Sequence, residues 1–174
     1  MAITVEDGSG LAGADAYVSV ADVDAYLTKY NPSTTWDALG DPEKEAAIVK
    51  ATRYLDLVYA ERWDGVKKTE AQALDWPRYD ADYKDHPVPS TEVPQAVKDA
   101  TAEIARWSGE NPTTPLINTK TDDAAIKRDK IQVGQIVLDT TYAGGNESST
   151  DTDFPVVEAI LDPLTIGGGE VERG

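Results

Sequence analysis

The segment Trp63 to Arg78, WDGVKKTEAQALDWPR, constrains this chain more than any other stretch of it. It joins a Trp-Asp-Gly turn to a short run that ends in Trp76-Pro77-Arg78, and it holds two of the four tryptophans. Aromatic residues make up only 7% of the chain, so two indoles this close together are expected to anchor one packed corner. A residue before proline is driven out of the α region. Trp76 is therefore predicted to end a short helical segment carrying Ala71, Leu74 and Asp75. No side chain in the block is chemically reactive. Its expected role is structural, with Trp63, Gly65, Leu74, Trp76, Pro77 and Arg78 as the motif.

The flanking sequence reads mainly as amphipathic helix. Ile3-Thr4-Val5 suggests a short strand, followed by a turn at Asp7-Gly8-Ser9-Gly10. Ser19 with Asp22 three residues on is close to a capping box. Val20, Val23, Tyr26 and Leu27 follow at helical spacing, and Asn31-Pro32 stops that helix. A second helix is predicted with Asp41 as cap, Pro42 in the first turn, and Glu43 and Glu45 where the helix dipole favours acids. Its face of Ala47, Ile48, Ala51, Leu55 and Val58, with Tyr54 and Tyr59 beside it, reads as buried core.

Residues 79–94 are acidic, punctuated by proline, and read as a loop. A third helix is predicted from about Glu92, with Val93, Val97, Ala100, Ile104 and Trp107 on one face and Gly109 and Pro112 at its end. Between Lys130 and Thr140 the period changes. Ile131, Val133, Ile136 and Leu138 suggest extended chain reversed at Gly134, a small β-hairpin. Gly144 to Asp153 reads as a polar linker. Asp153 and Pro155 then open a short helix bearing Val156, Val157, Ile160, Leu161 and Leu164, and a Gly-rich tail follows Ile166. The expected fold is mainly α: a small bundle of about three core helices plus a short C-terminal helix, with one β-hairpin element. The expected division is 1–143 as core domain and 144–174 as linker, apolar helix and mobile tail.

Charge and composition exclude several function classes. Lys and Arg total 16 against 32 Asp and Glu, a formal net charge of −16 with a sequence pI near 4.3. Non-specific nucleic-acid affinity comes mostly from clustered Lys and Arg on phosphates. Here the densest basic groups, Lys67-Lys68 and Lys127-Arg128 with Lys130, lie beside Asp64, Glu70 and Asp129. With no cysteine, the chain has no disulfide framework, thiol nucleophile or thiolate metal site. No apolar run is long enough to span a bilayer and no secretory leader is evident, so a cytoplasmic origin is expected. Asn146-Glu147-Ser148 matches a glycosylation pattern without a secretion route to use it.

The chemical motifs that can be matched by letter fail on context. Gly8-Ser9-Gly10-Leu11-Ala12-Gly13 fits GxGxxG, yet that motif binds a pyrophosphate only between a strand and the helix it opens. Here the helix waits until Ser19, so the run reads as a turn. Asp80, Asp82 and Asp85 suggest calcium, but the sixth and twelfth places of an EF-hand loop would hold Asp85 and Thr91. Asp122-Asp123 reads as a solvated face. His86 is the single histidine, between Asp85 and Pro87, with no GxSxG nucleophile anywhere. No carboxylate spacing singles out a glycosidase pair. No enzyme activity, metal or cofactor is expected.

A set of ordered motifs resembles the head–tail connector (adaptor) proteins of tailed bacteriophages, many of which carry the label DnaT-like single-stranded-DNA-binding protein. The carriers are Asp7-Gly8-Ser9-Gly10, Ala14-Asp15-Ala16-Tyr17-Val18-Ser19, Ala51-Thr52-Arg53-Tyr54-Leu55-Asp56 and Arg62-Trp63-Asp64-Gly65. Gln72 to Arg78, Val93-Pro94, Lys130 to Gly134, Phe154-Pro155 and Leu161 to Leu164 continue the series. The acidic stretch Gly144 to Asp153 and the Gly-rich end depart from that pattern. The resemblance implies a virion structural protein made in the host bacterial cytoplasm. It would assemble as a dodecameric ring between the portal protein and the next tail-side protein, whether stopper, tail terminator or tail-tube and nozzle component. Duplex DNA would pass through the channel without specific binding, and an acidic wall would keep it from sticking. No membrane is involved.

Two alternatives remain open in the sequence. Phe154, Val157, Ile160, Leu161, Leu164 and Ile166 either dock on the portal as a free tail helix or fold back on their own core. The family label, taken literally, implies a single-stranded-DNA-binding accessory protein. Such a module needs exposed aromatics interleaved with basic residues. Arg53 with Tyr54, Arg62 with Trp63, and Trp76 with Arg78 are the candidate groups. They read better as rings packed on arginine stems, with the guanidinium groups bonded locally.

Overall fold

A computed structural model describes residues 3–116 and 154–166, and the backbone of two strands at 129–133 and 136–140. Contacts divide the chain into two units, residues 1–116 with 153–174 and residues 117–152. The predicted linker from Gly144, the boundary drawn at 143 and the tail beyond Ile166 lie outside the described residues.

The first unit is the helical bundle that the periodicity predicts. Its helices are α1 (Val20–Tyr30), α2 (Thr34–Asp37), α3 (Asp41–Val58), α4 (Gln95–Glu110) and α5 (Pro155–Leu161), the last running into a 3-10 turn at Asp162–Leu164. α4 is central and touches α1, α2, α3 and α5. It is buried on several faces, from Ala96 and Val97 through Ile104 to Ser108 and Gly109. The α1 capping box is present, with the Ser19 hydroxyl accepting from the Asp22 amide and the Asp22 carboxylate accepting from the Ser19 amide.

Several boundaries differ from expectation for identifiable reasons. Gly40, not Asp41, caps α3, which places Asp41 and Pro42 in its first turn. α4 begins at Gln95, after Pro94, three residues later than predicted. Gly109 does not end α4; it lies inside the helix against Trp36 and Leu39 of the α2 segment, and Asn111 is the C-cap. α2 escapes the periodicity because four residues are too few to show it. Its visible signal is Ser33, whose hydroxyl accepts from the Trp36 amide.

The helix predicted over Ala71 to Asp75 does not form. Its polar groups bond across the corner instead: the Ala73 amide donates to the Leu11 carbonyl, and Gln72 reaches the carbonyls of Leu74 and Pro77. The Trp76–Pro77 peptide is cis. The segment is closed by a two-residue ribbon, β1 (Val66–Lys67) pairing antiparallel with β2 (Arg78–Tyr79). The acidic loop that follows contains a hairpin, β3 (Asp82–Tyr83) with β4 (His86–Pro87). Lys84 and Asp85 at its tip have φ of 51° and 65°, the left-handed pair that a tight hairpin turn requires. The predicted N-terminal strand reduces to one parallel bridge, Val5 to Ala16.

The second unit contains the predicted hairpin. β5 (Asp129–Val133) pairs antiparallel with β6 (Ile136–Thr140), and Val133 opposes Ile136 so that the chain reverses between them.

Candidate functional site

The tryptophan corner is built outward from Arg78. Its side chain is 7% exposed, and its guanidinium donates to three backbone carbonyls, those of Asp64 (2.7 Å), Gly65 (2.7 Å) and Asp75 (3.3 Å). Burial lowers its basicity while Asp75, Tyr17 and Asp64 support the charge. Gly65 is required here: its φ is +70°, and a Cβ would stand 2.1 Å from the Tyr79 carbonyl oxygen. Asp64 ties the turn down by accepting from the Gly65 and Asp82 amides, both at 2.9 Å. Around this frame the rings form a column. Tyr59 stacks on Trp63 with centroids 5.2 Å apart, and Trp63 meets Trp76 edge-on at 5.7 Å. Leu74 and Pro77 are buried beside them. The predicted structural motif therefore comes together as one packed corner.

That packing removes the stacking platforms which the sequence nominates. Trp63 and Trp76 are 2% and 0% exposed, so neither ring face can receive a base. Arg62 lies over the Tyr59 ring at 4.6 Å and pairs with Glu158. Tyr54 packs edge-on against Phe154. The third nominated arginine, Arg53, is exposed on α3. Other cations are engaged as well: Lys44 with Asp24 at 2.9 Å, Lys68 with the Gly8 carbonyl, and Arg106 with Glu103 and Glu110.

The C-terminal helix folds back on the bundle. Phe154 sits edge-on between Tyr54 and Trp107, with centroids 5.5 and 5.6 Å away. Val157, Leu161 and Leu164 are buried at 1% exposure or less. Past the helix, the Ile166 amide donates to the Arg62 carbonyl, and Thr165 bridges Trp63. Of the residues predicted to engage a partner, Ile166 is 64% exposed, and Phe154 and Ile160 are partly exposed. Sequence reasoning missed Val156 as a surface residue; it is 58% exposed beside Pro155 in the first turn of α5.

The loop that matches GxGxxG is filled by the chain itself. The buried Glu6 carboxylate accepts from the amides of Gly8 (2.9 Å), Gly10 (2.8 Å) and Leu11 (2.8 Å). Those amides would have to bind a phosphate, so the turn reading holds.

One cleft of about 620 Å³ opens between the β3–β4 hairpin, the start of α4 and α5. Tyr83, Lys84 and His86 of the hairpin, Glu92 and Asp99, and Ile160 of α5 are among the residues that line it. Lys84 lies 5.1 Å over the Tyr83 ring. Here a partly exposed ring adjoins a lysine and a histidine, as the exposed Tyr30 ring adjoins Lys29 at 4.5 Å, and His86 alone gave a weak signal of the cleft in the sequence. Among the described residues no group of three or more His, Asp or Glu side chains is arranged to hold a metal, and no helix is long and apolar enough to cross a membrane.

Comparison with known proteins yields one family: the model described as "Putative DnaT-like ssDNA binding protein" matches residues 1–174. No curated protein and no solved structure gives a match.

Proposed function

The chain belongs over its full 174 residues to the family described as DnaT-like ssDNA-binding proteins, and we propose that it is a head–tail connector subunit. In this reading it forms a ring beneath the portal protein, receives the next tail-side protein on its other side, and lets duplex DNA pass. The observation that carries the reading is the fate of the nominated DNA-binding groups. Trp63, Trp76 and Arg78 are buried, Arg62 is paired, and the chain's net charge is −16. Such a surface repels a phosphate backbone, which suits a passage for DNA better than a grip on it. Exposed apolar residues at Val66, Tyr79, Val156 and Ile166 supply contact surface for protein partners.

A second reading is supported by the family's description: a single-stranded-DNA-binding accessory protein. Its best location is the cleft of Tyr83, Lys84 and His86, where one ring, one lysine and one histidine adjoin. Co-sedimentation with the portal protein encoded near this chain separates the two, run beside fluorescence anisotropy with labelled oligonucleotide. Portal binding without oligonucleotide binding supports the connector. A salt-sensitive anisotropy rise without portal binding replaces it with the second reading.

A further inference from the structure

Behind the tryptophan corner lies a cluster of titratable side chains that neither reading uses. Tyr17 from the N-terminal segment is 1% exposed. Its phenol oxygen accepts from the Asp75 amide (3.0 Å) and the Trp76 amide (3.2 Å), and its proton goes to Asp56 Oδ1 on α3. Both lone pairs of the phenol are occupied, so its hydrogen has that one direction. Asp75 stands alongside. Its Oδ2 is buried without a hydrogen-bond partner, and its Oδ1 is 3.5 Å from the Lys67 ammonium of β1.

Two carboxyl groups thus share one partly exposed ammonium at the long end of ion-pair distance. Arg78 of β2 adds no second counter-ion contact, because its guanidinium is bonded to backbone carbonyls. A desolvated pair of this kind resists holding two negative charges. Burial is the largest influence on Asp56 and raises it to about 7; the charge of Asp75 adds to this, while the Tyr17 hydrogen bond and Lys67 oppose it. Burial and the Asp56 charge push the Tyr17 phenol well up, so it remains a donor.

We propose that Tyr17, Asp56 and Asp75 form a proton-operated latch: one proton on the carboxyl pair holds the Leu74–Arg78 turn against α3, and its loss to water loosens that turn. The Tyr17 oxygen is the joint, since it holds two amides of the turn and one carboxyl of the helix. Ionisation of both carboxyls puts repulsion across that joint, which Lys67 offsets only in part.

Amide hydrogen exchange tests the latch, with intrinsic rates divided out. Between about pH 6 and about pH 8.5, protection of the Asp75 and Trp76 amides is expected to fall roughly tenfold in the wild type. Asp56→Asn keeps an acceptor for Tyr17 and removes the titration, so its protection stays flat. A fall of equal size in Asp56→Asn, or no fall in the wild type, overturns the proposal. Should that variant fail to fold, Asp75→Asn removes the repelling charge instead. It must shift the fall to lower pH, because the Asp75 charge is one of the influences that raise Asp56; an unchanged midpoint overturns the latch.

Discussion

Arg62 and Glu158, separated by 96 residues, face each other as a two-point ion pair, Nη1 to Oε1 at 3.1 Å and Nη2 to Oε2 at 2.8 Å. The pair fastens the chain leaving α3 to the C-terminal helix. Both side chains are more than two-fifths exposed, at 42% and 45%, so water and salt screen them. Replacing Glu158 by Gln is expected to cost about 0.5 kcal/mol at low salt and less at high salt. Hydrogen bonding to Arg62 lowers the Glu158 carboxyl below its usual value. Its contribution is present above the unfolded carboxyl value and vanishes as pH falls through the folded one. Thermal unfolding of wild type and Glu158→Gln should therefore converge in acid.

The inward face of α5 makes a different prediction. Val157, Leu161 and Leu164 are core residues, so Leu161→Ala should destabilise by about 2–5 kcal/mol in denaturant unfolding. Truncation before Phe154 removes all three together with the partner of Arg62, and it should lower the unfolding midpoint strongly. Loss of portal binding on truncation would then report unfolding as readily as docking. Val156→Asp and Ile166→Asp change exposed positions, and they are expected to change the unfolding free energy by no more than about 0.5 kcal/mol.

Glycine 109 reverses the usual rule for helices. Gly→Ala in a helix interior ordinarily stabilises by about 0.5–1 kcal/mol. Here a Cβ would stand 2.8 Å from Leu39 Cδ1 and 3.1 Å from the Trp36 ring. Gly109→Ala is expected to destabilise by about 1–3 kcal/mol through overpacking. Gly13→Ala, where a Cβ meets nothing within 4 Å, is the matched control and should be near neutral. Equal effects at the two positions would refute the packing argument.

Those residues also show what the sequence makes legible. α1, α3 and α4 were readable because Val23 with Leu27, Ala47 through Leu55, and Val97 through Ile104 repeat at helical spacing over several turns. Gly109 misled because a glycine near a helix end signals termination, whereas here it answers to Trp36, distant in sequence. The Ala71–Asp75 helix failed for a related reason: Gln72, Ala73 and Trp76 find their hydrogen-bond partners across the corner, which no local pattern records. The site was half legible. Proximity of Trp63, Trp76 and Arg78 foretold a packed corner, but the Tyr83–Lys84–His86 cleft arises only when α4 and α5 come against the hairpin.

Arg78 is expected to tolerate neither loss nor conservative change. Its planar group reaches three carbonyls at once, and a lysine ammonium cannot reproduce that fork. Arg78→Lys should destabilise by about 2–3 kcal/mol, since at least one buried carbonyl is left unpaired. A loss below about 0.5 kcal/mol, measured by urea unfolding, would show that the carbonyls find water instead.

Global stability should carry the mark of Asp56. Its folded-state value is raised from 3.8 to about 7 by burial first. A carboxyl raised in this way binds its proton more tightly folded than unfolded. Its contribution is complete below the unfolded value and is lost as pH rises through about 7. Urea unfolding of the wild type should thus give a stability that declines between about pH 4 and about pH 7.5 more steeply than that of Asp56→Asn. The variant should be the more stable of the two at the alkaline end, because an amide needs no proton to stay neutral. Parallel curves for the two proteins would mean that Asp56 is solvated in the folded state and carries no linkage.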